Sequence, residues 1–200
     1  MKIIGVIGPI GSGKDTLAEY LITNHGYKKL SFASRVKDVA SVAFGWDRAL
    51  LEGDTPASRV WREEVDLFWG TTPRQALQKI GTEMFRGHIR DDFWIKIVEQ
   101  KIQALQEEHV KGIVITDCRF QNEIRLIQNM GGTLVHIQRH EPPSWAEEAI
   151  LGNPFHSVYN VHITDWNAWA FVKEAQYHIK NSGSLDSLQK VFASMNHVWI

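Results

Sequence analysis

Ile3-Ile4-Gly5-Val6-Ile7-Gly8-Pro9-Ile10-Gly11-Ser12-Gly13-Lys14-Asp15-Thr16 decides how the rest of the chain is read. Residues 2–7 are short, Ile/Val-rich and stopped by Gly8, which predicts a buried strand. A helical segment follows from 15 to 24, with Leu17, Tyr20 and Leu21 on one face. Between them lies the complete spacing Gly-x4-Gly-Lys, in the strand–loop–helix context that a phosphate-binding loop requires. Gly8, Gly11 and Gly13 admit backbone conformations closed to residues with a Cβ, so successive N–H groups point into one concavity. The helix adds its positive N-terminal end, and Lys14 a mobile point charge. The same glycines in an isolated turn would mean little. Asp15 departs from the usual pattern, standing where Ser or Thr is common; Thr16 follows it.

Working outward, the chain alternates strands and helices. Strands are expected at 28–32, 112–116, 133–138 and 177–180. Helices are expected at 34–44, 58–68, 72–85, 91–108, 120–130, 165–174 and 185–194. Asp165 and Ser184 are the expected caps of the last two. This order predicts an α/β fold: a P-loop kinase-like three-layer architecture, with a parallel sheet of about five strands covered on both faces. A single domain over 1–200 is expected, with a helical insertion at 45–90 and a flap-like loop at 140–157. Such sheets bind ligands beyond the carboxyl ends of their strands. The glycine loop, Phe32, Asp117 and Arg139 all follow expected strands and should share one crevice.

The bulk numbers bound the function. The 200 residues are 44% apolar and 22% charged, with a net charge of −1. That balance offers no electrostatic argument for a nucleic-acid polymer or a membrane surface. No apolar run approaches the length of a membrane span, and the start does not read as a signal peptide. Cys118 is the single cysteine, which fits a reducing, cytoplasmic compartment. It has no indicated base partner that would make it a nucleophile. Val198-Trp199-Ile200 reads as an interface or a core strand, so a homodimer is left open.

Asp117 ends a strand, where phosphoryl-transfer proteins place an acid that helps hold Mg²⁺. Asp15 and Thr16 lie close enough to the loop to serve the same ion. Asp117 also reads as a substrate contact or a helix cap. Arginines recur at 59, 62, 74, 86, 90, 119 and 139, and guanidinium forks suit phosphate oxygens. Arg74, Gln78, Thr82 and Arg86 are spaced for one face of a single helix that looks too polar for a core. Trp94 reads equally as a base-stacking ring or a core aromatic. His140 and His156 flank the 140–157 loop without a metal-binding pattern around them.

Five stretches together resemble the phage-type deoxynucleoside monophosphate kinases. They are Gly13-Lys14-Asp15-Thr16; Ser31-Phe32-Ala33 with Lys37; Thr72-Pro73-Arg74-Gln75-x-Leu77-Gln78-x-x-Gly81-Thr82-Glu83-x-Phe85-Arg86; Thr116-Asp117-x-Arg119-Phe120-x-Asn122-Glu123; and Asn181-Ser182-Gly183-Ser184-Leu185-x-x-Leu188. One stretch departs from the family pattern: His-x-x-Glu after the flap is replaced by His156-Ser157-Val158-Tyr159. The resemblance implies ATP held by Gly11, Ser12, Gly13, Lys14, Asp15 and Thr16, with Arg139 near the donor nucleotide. It implies an acceptor site lined by Phe32, Lys37, Arg62, Arg74, Gln78, Trp94, Asp117, Arg119 and Glu123. Lys14, Arg74 and Arg119 would act in transfer, with Mg²⁺ at Asp15, Thr16 or Asp117. The implied reaction passes the γ-phosphoryl group of ATP to the phosphate of a (deoxy)nucleoside monophosphate, giving the diphosphate for DNA synthesis, with the insertion and flap closing to exclude water. The competing readings are a kinase acting on dephospho-coenzyme A or phosphomevalonate, and a non-catalytic nucleotide-binding module. A regulatory GTPase is disfavoured by the absence of Asn-Lys-x-Asp.

Overall fold

The apolar run ahead of the loop is the central strand of the sheet. The computed structural model describes residues 1–200. In chain order the elements are β1 (Lys2–Ile7), α1 (Lys14–His25), β2 (Lys28–Leu30), α2 (Ser34–Phe44), α3 (Pro56–Glu63), α4 (Pro73–Gln78) and α5 (Phe85–His88). There follow α6 (Phe93–Glu107), β3 (Gly112–Ile115), α7 (Gln121–Asn129), β4 (Thr133–Gln138), α8 (Ala146–Ile150), α9 (Ile163–Ala170), β5 (Tyr177–Lys180), α10 (Leu185–Ser194) and α11 (Asn196–Trp199). The chain forms two compact units, Met1–Ser31 with Glu99–Ile200, and Phe32–Val98.

The first unit holds a five-stranded sheet in the order β2-β3-β1-β4-β5. Every pairing is parallel, with Ile4 of β1 opposite Val114 on one side and Thr133 on the other. All carboxyl ends therefore lie along one edge. Alternation along β1 covers both faces. Ile4 and Val6 meet Leu17 and Leu21 of α1, Leu188 and Phe192 of α10, and Val198 and Trp199 of α11. Gly5 faces the other way, where a Cβ would come 2.8 Å from Leu134 Cδ2 and 3.2 Å from Ile127 Cγ1. The missing side chain is what lets α7 lie close to the sheet.

Val198 and Trp199 are neither a core strand nor an exposed surface. They form a helical turn sealed into the core. The Trp199 indole N–H donates to the Phe192 carbonyl at 2.7 Å, and its own carbonyl accepts from the Tyr27 hydroxyl at 2.7 Å. Burial pushes the Tyr27 hydroxyl up to about 12.

His136 of β4 is another buried polar group. Its ring lies 6.0 Å from that of Trp169 and 5.8 Å from that of His178. Burial, with the charges of His178 and Lys14, pushes its pKa down to about 4. The folded state therefore resists a proton that the unfolded chain accepts. Stability contributed by neutral His136 is present above the ordinary histidine pKa and lost as pH falls toward 4. A His136→Gln protein is expected to lose about 3 kcal/mol less than wild type between pH 7 and pH 4, measured by urea unfolding. Parallel pH profiles for the two proteins would contradict this.

The second unit is wider than the expected 45–90 insertion because α2 packs into it. Val36 and Ala40 join Trp46, Leu51, Ala76, Ile80 and Trp94 in its core. The expected helix at 58–68 is α3, which starts at Pro56 under a Thr55 capping box and stops at Glu63. Asp66 ends the helical path: its Oδ1 accepts from the N–H groups of Phe68 and Trp69 at 2.9 and 3.2 Å. A carboxylate that offers the backbone a local turn competes with helix, so Leu67 and Phe68 sit exposed on a tight loop.

Helix α4 opens as the sequence predicts, with a Thr72 capping box and Pro73 in the first turn. Lys79–Met84 then winds as a π-helix before α5 resumes. Its i→i+5 bonding breaks the four-residue spacing, so Arg74, Gln78, Thr82 and Arg86 do not form one polar face. Arg86 is buried, and its Nη1 donates to the Asp91 carbonyl at 3.0 Å.

Within 140–157, α8 replaces part of the expected loop. Its own Ala146 and Ala149 are buried, and the Trp145 ring stacks on that of Trp166 at 5.3 Å. The cap of α9 is His162, not Asp165; Asp165 lies inside the first turn.

Candidate active site

The β1–α1 loop has the geometry of a phosphate cradle. Gly8 sits at φ 150°, and a Cβ there would lie 2.2 Å from the Ile137 carbonyl oxygen of β4. Gly13 caps α1 at φ 109°. Both positions demand glycine. Lys14, the first residue of α1, reaches back over the loop; its Nζ donates to the carbonyls of Gly8 and Pro9 at 2.9 and 2.6 Å. Burial, reinforced by the Arg119 charge, lowers its pKa to about 7 against the opposing pull of Asp15, Asp117 and Asp165. Lys14 and Arg119 thus act on one another electrostatically across separate loops of the first unit.

Asp15 has an internal partner that the sequence did not flag. Its Oδ1 accepts from Lys29 Nζ of β2 at 2.9 Å and from Thr116 Oγ1 at 3.3 Å. Partial burial alone would raise its carboxyl, but the hydrogen bond and charge of Lys29 hold it below the usual range. Lys29 answers the added negative charge of an acid at this position.

The β3–α7 loop is tied down residue by residue. Asp117 Oδ2 accepts from Ser31 Oγ at 2.6 Å. Arg119 Nη1 donates to the Thr164 carbonyl at 2.9 Å and lies 3.6 Å from Asp165 Oδ1, so α9 holds the guanidinium. Asn167 of α9 returns a bond to the Arg119 carbonyl at 2.7 Å. Glu123 is buried, and its Oε2 accepts from the backbone N–H groups of Arg119 and Phe120 at 2.7 and 3.1 Å. Its carboxylate caps α7 and shapes the loop. Arg139, directly after β4, is exposed. Cys118 is buried, and burial pushes its thiol well above the ordinary value, which removes it as a nucleophile.

The second unit holds the other expected residues. Lys37 and Arg48 both hydrogen-bond Glu52. Arg62 Nη1 donates to the Leu51 and Glu52 carbonyls at 3.4 and 3.2 Å. Burial and the neighbouring Arg74 charge push the Arg62 pKa down. Arg74 Nη1 bonds Glu63 Oε1 at 3.3 Å. Gln78 is half-buried at the end of α4, and Phe32 is buried at the start of the unit. Lys37 and Arg48 thus share one carboxylate, while Arg62 of α3 and Arg74 of α4 lie near enough to feel one another's charge. Trp94 is not a base-stacking ring. It is 2% exposed, packs against Phe85 and donates its indole N–H to the Gly81 carbonyl at 2.8 Å.

No cluster of three or more His, Cys, Asp or Glu side chains is placed to cage a metal ion. Mg²⁺ in phosphoryl transfer takes one or two carboxylates together with substrate phosphates and water. The hard oxygen donors Asp15, Thr16 and Asp117 fit that mode by their chemistry.

A central parallel strand, a glycine cradle and a lysine-led helix at the carboxyl edge place the chain among the P-loop kinases. A solved dephospho-CoA kinase from Campylobacter jejuni shares this fold, with a TM-score of 0.51 at 17% identity over 99% of this chain and 97% of that one. Residues 60–192 match the family model described as deoxynucleotide monophosphate kinase. A protein of Acanthamoeba polyphaga mimivirus named as a deoxynucleotide monophosphate kinase is 32% identical, over 70% of this chain and 75% of its own. The deoxynucleoside-5'-monophosphate kinase of Escherichia phage T5 is 28% identical, over 68% of this chain and 77% of its own. The chain belongs to the deoxynucleotide monophosphate kinase family, and membership implies ATP as the phosphoryl donor.

Proposed function

We propose that the protein moves the γ-phosphoryl group of ATP onto the phosphate of a deoxynucleoside monophosphate, releasing ADP and the deoxynucleoside diphosphate. The observation that carries this reading is a half-buried Lys14 folded over the phosphate loop together with an Arg119 tethered by α9, both following the sheet's strands. A module that merely senses nucleotide has no need of the second cation.

Transfer of this kind is positioning and electrostatics. Backbone N–H groups from Gly11 to Thr16 hold the donor phosphates. Lys14 leaves its loop carbonyls and neutralises charge on the bridging and terminal oxygens. Arg119, fixed by α9, meets charge spreading over the moving group. Arg139 lies beside the donor nucleotide. The acceptor's phosphate oxygen is the nucleophile and needs no general base. We assign acceptor recognition to Lys37, Arg62, Arg74 and Gln78 of the second unit, with Phe32 beside the base, and a covering role to 140–157. Asp117, Asp15 or Thr16 would hold Mg²⁺, which would supply charge neutralisation. The chemistry asks for no nucleic-acid polymer and for no second copy of the chain. Its place of work on this reading is the cytoplasm, that of the host for a phage-encoded chain.

The test is an ADP-release assay with Mg²⁺ and ATP over the four deoxynucleoside monophosphates, the ribonucleotides and dephospho-coenzyme A. Turnover with at least one deoxynucleoside monophosphate is expected. Turnover with dephospho-coenzyme A and with no monophosphate would overturn the reading.

A further inference from the structure

We propose that Asn181 is a positioning residue for the phosphate loop, acting through the peptide bond between Ser12 and Gly13. The inference rests on the kinase reading above. Asn181 follows β5, far from the loop in sequence, and is 5% exposed. Its Nδ2 donates to the Ser12 carbonyl at 2.9 Å. Its own backbone N–H continues the β4–β5 ladder by donating to the Gln138 carbonyl at 2.7 Å. The side-chain amide is thus carried by the sheet, not by a mobile loop.

A trans peptide is planar, with its C=O and N–H pointing in opposite directions. Holding the Ser12 carbonyl toward Asn181 therefore turns the Gly13 N–H away from it, to the side on which phosphate is cradled. Glycine at 13 sits in a left-handed conformation and gives the plane little stiffness of its own. The same amide also limits the site: a Cβ on Gly13 would approach Asn181 Nδ2 to 2.9 Å and Leu188 Cδ2 to 3.3 Å. Ser12 is fully buried, so its carbonyl has no ready replacement partner in water. Asn181 thus fixes the direction of one donor amide before nucleotide arrives, which is the preorganisation that charge-stabilising sites depend on.

The experiment compares wild type, Asn181→Ala and Asn181→Asp with ATP and the preferred monophosphate. Asn181→Ala is expected to lower kcat/KM for ATP by about 10- to 100-fold while leaving KM for the monophosphate within about twofold, the error of the assay. Asn181→Asp has nearly the same shape. Ionised, it repels the Ser12 carbonyl; protonated, it regains a donor. Its rate relative to wild type is expected to rise at least about tenfold as pH falls from 8 to 6, because burial raises the carboxyl pKa into that range. The Asn181→Ala ratio should stay flat over the same range, since alanine has nothing to titrate. Thermal midpoints taken at each pH separate this gain from refolding. If wild type turns over and Asn181→Asp shows a flat ratio, or Asn181→Ala keeps wild-type ATP kinetics, the positioning role is wrong. If wild type phosphorylates no monophosphate, it is the kinase reading that has failed.

Discussion

A Lys14→Ala protein is expected to lose about three orders of magnitude in kcat/KM for ATP, with a thermal midpoint within about 3 °C of wild type. The two halves have one cause. In the folded chain Lys14 is half-buried, and burial has lowered its pKa to about 7. Its Nζ donates to the Gly8 and Pro9 carbonyls of its own loop. It adds little to stability, so removal costs little. On the proposed mechanism it is the loop side chain that follows the migrating charge. Lys14→Arg is not a rescue, because a planar fork does not enter a cradle fitted to a point charge. ADP release under saturating acceptor, together with calorimetric melting, checks both halves. A variant within about tenfold of wild type would remove Lys14 from the chemistry.

Trp199→Ala is expected to give the largest loss of stability in the chain, about 3–5 kcal/mol, seen as a drop of about 10 °C in thermal midpoint. Three effects add. The indole fills the sheet face beside Tyr27, Phe192 and Val198. The Phe192 carbonyl loses its indole donor. The helical turn that aims the Trp199 carbonyl at the Tyr27 hydroxyl loses its anchor. Trp199→Phe keeps most of the volume and should cost about half as much. A change of less than about 1 kcal/mol for Trp199→Ala would mean that this face closes without the indole.

Local signals carried much of this architecture. The strand at 2–7, the helix at 34–44, the strand at 133–138 and the helix at 185–194 under Ser184 stand where the chain's own pattern puts them. Their apolar periodicity and caps are complete within a few neighbouring residues. The misses share a different property. Lys29 and Asn181 act on Asp15 and Ser12 through contacts that only the folded sheet creates. Glu123 and Trp94 belong to a site by residue type, yet their polar atoms turn to nearby backbone. His162 outcompetes Asp165 as a cap because the chain is extended at that residue. Residue type announces what a side chain is able to do; the partner that claims it comes from the fold.

The π-helical stretch at Lys79–Met84 has a consequence for how this chain compares with its relatives. A π turn holds one residue more than the α turn it replaces. Its length behaves as a single-residue insertion hidden inside a continuous helix, with no loop to reveal it. A relative that lacks the extra residue would present Arg86 and Phe85 on a different side of the rod while keeping Arg74 and Gln78 in place. Gap placement near residue 80 therefore decides which arginine is counted as equivalent to which, and two chains with the same letters here need not have the same surface.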